Sequence, residues 1–208
     1  MNIELFLKGV IVGLAIAAPV GPIGLLCIQR TLVGGWLSGL ISGLGAAAAD
    51  TFYGSIAAFG LTLVQEFLLD HSRAIAMAGG VVLCLLGIRI LLTKPSTVVA
   101  KPTMSKVGLV GDFISTFMLT LANPMTVLSF IAIFAALNTS AASGSYSAAS
   151  TLILGVFTGS AGWWLFLSLG IGVIRHRMDE PALRWIGRIS GALVIAFGVL
   201  TLGRGFAR

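Results

Sequence analysis

Six long apolar runs, at about residues 3–28, 36–64, 74–92, 108–137, 148–174 and 185–204, leave this chain few folds to choose from. An α-helix needs ~20 mostly apolar residues to cross a bilayer, and the runs match that length. Of the 208 residues, 57% are hydrophobic and only 10% charged, with a mean hydropathy of +1.05. Soluble domains carry about 25% charge. The expected fold class is all-α, a polytopic membrane protein with one membrane domain over 1–208 and no room for a separate soluble domain. The net charge of +6 sits mainly in loops flanking the apolar runs, so it points to the lipid bilayer as partner and not to nucleic acid. Residues 1–20 have an Ala-Ile-Ala-Ala end like a leader's, yet the apolar run passes straight through it and reads as a first span.

The first run is interrupted by Ala17-Ala18-Pro19-Val20-Gly21-Pro22-Ile23-Gly24. A proline lacks an N–H and clashes with the carbonyl four residues back. Pro19 therefore frees the carbonyl of Ala15, and Pro22 that of Ala18. Irregular backbone at membrane depth must be buried in protein or line a cavity. The expectation is a broken transmembrane helix, with a second half restarting near Gly24 whose N–H groups and positive dipole end suit a carboxylate. The freed carbonyls suit an ammonium. In the fourth run Asn123-Pro124 repeats the device: Pro124 frees the carbonyl of Thr120, and Asn123 adds an amide. A zwitterionic amino acid needs both kinds of group.

The chain repeats itself in order. Gly9 through Pro22 matches Gly111 through Pro124 in spacing; Gly43 and Asp50 fall on Gly155 and Gly162; Arg73, Gly80 and Gly87 fall on Arg184, Gly191 and Gly198. Each half holds an odd number of spans, so the second must be inverted. The expected architecture is six transmembrane helices in two inverted three-helix repeats, 1–92 and 108–208, joined by a cytoplasmic linker 93–107, with broken helices 1 and 4. Such repeats with matched breaks mark a secondary transporter's site. Nine Lys and Arg flank one side (Arg30, Arg89, Lys94, Lys101, Lys106, Arg175, Arg177, Arg184, Arg188) and four the other (Lys8, Arg73, Arg204, Arg208). The richer side is cytoplasmic by the positive-inside rule, which puts both termini outside. Small residues every fourth position, Gly9-Gly13-Ala17-Gly21 and Gly35-Gly39-Gly43-Ala47, allow close helix approach. Intramolecular packing is the first use for these rows, and a homodimer interface the second.

Asp50 lies near the middle of the second run. A charge there costs at least ~2.5–3.5 kcal/mol on insertion scales, so it should face a cavity or a partner. Its two candidate roles are substrate contact and proton coupling, against a structural Asp joining spans one and two. Asp112 reads as interfacial, a cap or loop partner, with a substrate role as the alternative. Arg30 reads as an interfacial anchor, with a gate role as the alternative, and Trp163-Trp164 as aromatic packing that could flank the site. Cys27 and Cys84 form no CxxC pair and read as apolar filler. His71, His176, Glu66, Asp70, Asp179 and Glu180 read as solvated.

With Pro19-Val20-Gly21-Pro22-Ile23-Gly24-Leu25-Leu26, then Gln29-Arg30-Thr31-Leu32, Ala49-Asp50-x-x-Tyr53-Gly54 and Asn123-Pro124, the sequence resembles the LysE/RhtB amino-acid exporter family over essentially its whole length. The resemblance implies a six-helix protein of the bacterial cytoplasmic (inner) membrane that exports amino acids, using the proton gradient. It implies Gly21, Pro22, Asn123 and Pro124 as the broken-helix site and Asp50 as its acidic partner. One departure is Met125 after Asn123-Pro124, where relatives often have Lys.

The expected function is thus secondary export of a basic amino acid or a related small zwitterion by alternating access, with protons as the second partner and no cofactor. The expected substrate site is Ala15, Ala18, Pro19, Gly21, Pro22, Gly24, Asp50, Thr120, Asn123 and Pro124. A divalent metal-ion exporter is one alternative, though the intramembrane oxygen ligands reduce to Asp50, Asp112 and backbone carbonyls. A membrane thiol-disulfide electron conduit is another; it needs two cysteines placed to exchange. No nucleophile–base pair or phosphate loop lies within the spans, so an enzyme is not expected.

Overall fold

The computed structural model describes residues 2–19, 21–59, 70–92, 106–123, 126, 129–130, 146–175 and 180–206. Val20, Pro124, Met125, Glu66, His176, Asp179, the linker segments 93–105 and 138–145, and the ends of the second and fourth expected spans (60–64, 131–137) lie outside them. Among the described residues the chain forms helices and no strands: α1 (Ile3–Ala17), α2 (Pro22–Gly34), α3 (Trp36–Ala58), α4 (Ser72–Leu92), α5 (Lys106–Leu121), α6 (Tyr146–Arg175) and α7 (Glu180–Phe206).

The first apolar run is two helices, with axes 81° apart across the Pro-Gly segment. The second half differs from the expectation in length. It starts at Pro22, where a proline's missing N–H costs nothing, and runs on through Gln29 to Gly34. Only Gly35 separates it from α3. At φ +91° Gly35 holds a backbone angle that L side chains rarely adopt, and this lets two helices meet at a one-residue corner.

Segments of α4, α6 and α7 are long and apolar enough to cross a membrane, and the bent α1–α2 pair passes the same test together. α3 has 23 residues but is not among them, and α5 is shorter. The physical reason lies in where α3 sits. More than half its residues are buried, most of them Gly, Ala or Ser, because α3 is wedged between α5 and α6. A central helix meets other helices and not lipid, so small residues serve it better than large apolar ones. α1 shows the opposite face: Ile3, Leu7, Ile11 and Leu14 are exposed, while Gly9, Val12, Gly13 and Ala17 are buried.

The packed pairs fix helix directions. Gly9 meets Leu152 and Gly155, and Gly13 meets Val156 and Ser160, so α1 and α6 run parallel. A Cβ on any of Gly9, Gly13, Gly155 or Gly159 would strike the facing backbone, so the two helices touch main chain to main chain. α3 and α5 are also parallel, with Ser38 beside Asp112 at one end and Tyr53 beside Leu121 at the other. α3 and α6 are antiparallel: Gly39 faces Ser168, Gly43 faces Trp164, Asp50 faces Ser160 and Gly54 faces Val156. α4 and α7 are antiparallel, with Gly80 against Gly198 and Gly87 against Gly191. The spaced small residues of α1 and α3 are thus consumed in packing within the chain.

Two apolar clusters hold the bundle. One joins Ala17, Leu26, Cys27, Ala46, Ala47, Leu83, Leu119, Trp164 and Val194; the other joins Val12, Tyr53, Ile56, Phe130, Leu152 and Val156.

Candidate functional site

Asp50 sits on α3 between the two clusters, at 3% exposure. Ala46 and Ala47, one turn before it, pack with Ala17 and Ile23 on either side of the first break. Tyr53, nearly one turn after it, belongs to the cluster that includes Val12, and its hydroxyl donates to Leu121 O. The acid therefore lies between a cluster that includes Ala17 and Ile23, which flank the first break, and Tyr53, which is bonded to Leu121 at the second. Its one hydrogen bond among the described residues comes from Ser160 Oγ of α6, at 2.7 Å to Oδ2. A buried carboxyl with a single donor is sparsely satisfied for its position. One turn further along α6, Trp164 Nε1 is buried with no hydrogen-bond partner among the described residues, and so is Ser168 Oγ another turn on.

The two breaks are finished differently. At the first, Gly21 N–H donates to Pro19 O and Ala18 N–H to Leu14 O. No hydrogen bond reaches the carbonyls of Ala15 or Ala18 among the described residues. α2 opens without a side-chain cap, and a Cβ on Gly21 would meet nothing within 4 Å, so its first turn borders open space. Gly24 is buried, Ala18, Gly21 and Pro22 half-buried, and Ala15 and Pro19 exposed. At the second break the carbonyl of Thr120, expected to be free, accepts from Asn123 N–H at 3.2 Å: the chain tightens into a turn in place of the missing helical bond. Asn123 O accepts from Thr126 N–H, and Leu121 O accepts from the Tyr53 hydroxyl. Thr120 is buried and Asn123 half-buried. Pro124 lies outside the described residues.

The largest polar assembly was not foreseen as one. Arg30, expected as an interfacial anchor with a gate role as the alternative, turns inward from α2 and pairs with Asp112 of α5, Nε to Oδ1 at 3.1 Å. Nη1 contacts Ser42 Oγ and the Asp112 carbonyl at 2.9 Å each and Thr116 Oγ1 at 2.7 Å; Nη2 donates to Ser115 Oγ at 2.7 Å. Ser38 Oγ donates to Asp112 Oδ2. The two charged side chains are 13% and 22% exposed. Asp112 thus has a partner, as expected, but in a helix 82 residues away and not in a loop. A charge with hydroxyls at helical spacing, Ser115 and Thr116 three and four residues after Asp112 and Ser38 and Ser42 four apart, was the signal that could have flagged it.

Cys27 is buried in α2, and Cys84 half-buried in α4 with Sγ 4.0 Å from Ile195 O; both are free thiols. No group of three or more His, Cys, Asp or Glu that could hold a metal occurs among the described residues. Trp163 packs on Phe166 with the rings tilted by 37° and their centres 5.9 Å apart.

A family model described as LysE type translocator matches residues 14–205. The chain is 28% identical over 202 residues to "Putative amino acid efflux protein YcgF" of Bacillus subtilis (strain 168), covering 95% of this chain and 94% of that one. It is 29% identical over 182 residues to "Uncharacterized membrane protein YahN" of Escherichia coli (strain K12), covering 81% and 77%. No solved structure matches it significantly.

Proposed function

Since the chain belongs to the LysE type translocator family, we propose that it is a secondary exporter of amino acids, coupled to protons and working by alternating access in the bacterial inner membrane. The observation that carries the reading is Asp50: a buried, singly bonded acid on α3, between a cluster that includes the residues flanking the first break and Tyr53, which is bonded beside the second. An intramembrane acid of that kind is a functional group by default. A relative named for amino acid efflux, matched nearly end to end, supports the substrate class.

The six-span inverted repeat is supported by helix directions. If α1–α2 counts as span one, spans one and five are parallel, two and four are parallel, two and five antiparallel, and three and six antiparallel, as strict alternation requires. The pair contacts Gly80–Gly198 and Gly87–Gly191 also exchange into each other when the two halves are swapped by the sequence repeat. The uncapped first turn of α2 would receive a substrate carboxylate, and the Ala15 and Ala18 carbonyls with Asp50 its ammonium. Asp50 would also take the returning proton from outside.

Cells fed dipeptides, with and without the protein, test the reading. Intracellular accumulation of at least one released amino acid should fall when the protein is present. Accumulation unchanged for every residue, from protein shown to be in the membrane, would refute it.

A further inference from the structure

Along α3 the Arg30–Asp112 assembly lies between Asp50 and the start of the helix. Ser42 belongs to that assembly, and Asp50 lies eight residues further along α3, about 12 Å at 1.5 Å per residue. The assembly sits at the end of the bundle where α3 and α5 begin and α6 ends, the end carrying Arg30 and Arg175 and, on the positive-inside rule, the cytoplasmic one.

Its construction divides cleanly between the two halves of the chain. Arg30, Ser38 and Ser42 come from α2 and α3. Asp112, with both carboxylate oxygens and its carbonyl, Ser115 and Thr116 all come from the middle turns of α5. α2 and α5 otherwise barely touch, so one long side chain bridges them. Nη1 has two hydrogens for three oxygens, so the grip is shared and not locked. Both charges keep some exposure, unlike Asp50. An α-amino acid carries a carboxylate and an ammonium a few ångströms apart, the complement of a guanidinium and a carboxylate held at 3.1 Å.

We propose that Arg30 and Asp112 form a latch between the two halves and an access subsite for substrate: an α-amino acid exchanges into the pair, its carboxylate onto Arg30 and its ammonium onto Asp112, and α5 then parts from α2. The substrate class here rests on the export reading. No covalent step is involved, and the exchange keeps each buried charge opposite an opposite charge.

The chain contains its own probe. Cys27 is fully buried one turn before Arg30, and Cys84→Ala leaves it the sole cysteine. Its rate of modification by N-ethylmaleimide in membranes reads the latch. Asp112→Asn should raise that rate about tenfold by shifting the closed population, with Ser115→Ala and Thr116→Val giving smaller increases. An unchanged rate in a monodisperse Asp112→Asn protein overturns the latch. If that variant does not fold, Ser115→Ala and Thr116→Val decide instead, and no increase from either overturns it. With the latch intact, a mixture of amino acids should accelerate modification, while acetate plus methylammonium at equal concentration should not. Equal acceleration by both, or by neither, overturns the exchange. The readout is access and not transport. A protein that exports amino acids but whose Cys27 ignores them refutes this inference alone; one that responds to them yet exports none refutes the export reading alone.

Discussion

Asp50 and the Arg30–Asp112 pair are the two charged features inside the described bundle, and they are satisfied in opposite ways. Asp50 has one hydrogen bond, from a neutral hydroxyl, in a setting of alanines and glycines. Arg30 has an ion pair and four further hydrogen-bond contacts, and its partner has a serine of its own. Removing one member of a buried pair strands a charge, whereas a lone acid has little to strand. The dense assembly therefore ties α2 and α3 to α5 and yields only to a partner that matches both its charges, whereas the sparse acid keeps bonding capacity open.

The contrast breaks first at Arg30. Arg30→Ala should destabilise the protein by about 3 kcal/mol, as truncation of a buried ion pair does, visible as a large fall in the thermal midpoint in detergent. A small fall would mean that the pair is surface-like. Asp50→Asn should do the reverse: the thermal midpoint stays close to that of the parent, within about 1 kcal/mol, while amino-acid export driven by a pH gradient is abolished in proteoliposomes. Undiminished export would remove Asp50 from the mechanism. Ser160→Ala strips Asp50 of its donor and should cost about 1 kcal/mol, measured by the same melting curves, with a slower export rate. At the small end, Gly21→Ala adds a methyl where nothing lies within 4 Å; stability should move by less than about 0.5 kcal/mol, so any loss of export would report the space in front of α2 and not the fold.

Much of the frame was readable from residue order. Pro19, Gly21 and Pro22 announce a break because their backbone chemistry is local, and the structure ends one helix at Ala17 and starts another at Pro22. The spaced glycines of α1 announce close packing for the same reason. Their partners were not readable: that Gly9 lies on Gly155 and Gly13 beside Ser160 depends on which helix faces come together. The continuation of α2 to Gly34 was missed because Gln29, Arg30 and Thr31 look like a loop after an apolar run; in the bundle Gln29 and Thr31 are buried against protein. Thr120 shows the limit of proline reasoning, since a lost helical bond was replaced by a turn.

The residue order by itself determined that the chain is a helical membrane protein, where its first helix breaks, and that an acid lies deep within its second apolar run; hydropathy, proline geometry and the cost of a buried charge act over a few neighbouring residues. Tertiary structure alone decided that Arg30 meets Asp112 and Asp50 meets Ser160, across 82 and 110 residues. A helix repeats every 3.6 residues whatever it touches, so its sequence names a face but not the face it is pressed against.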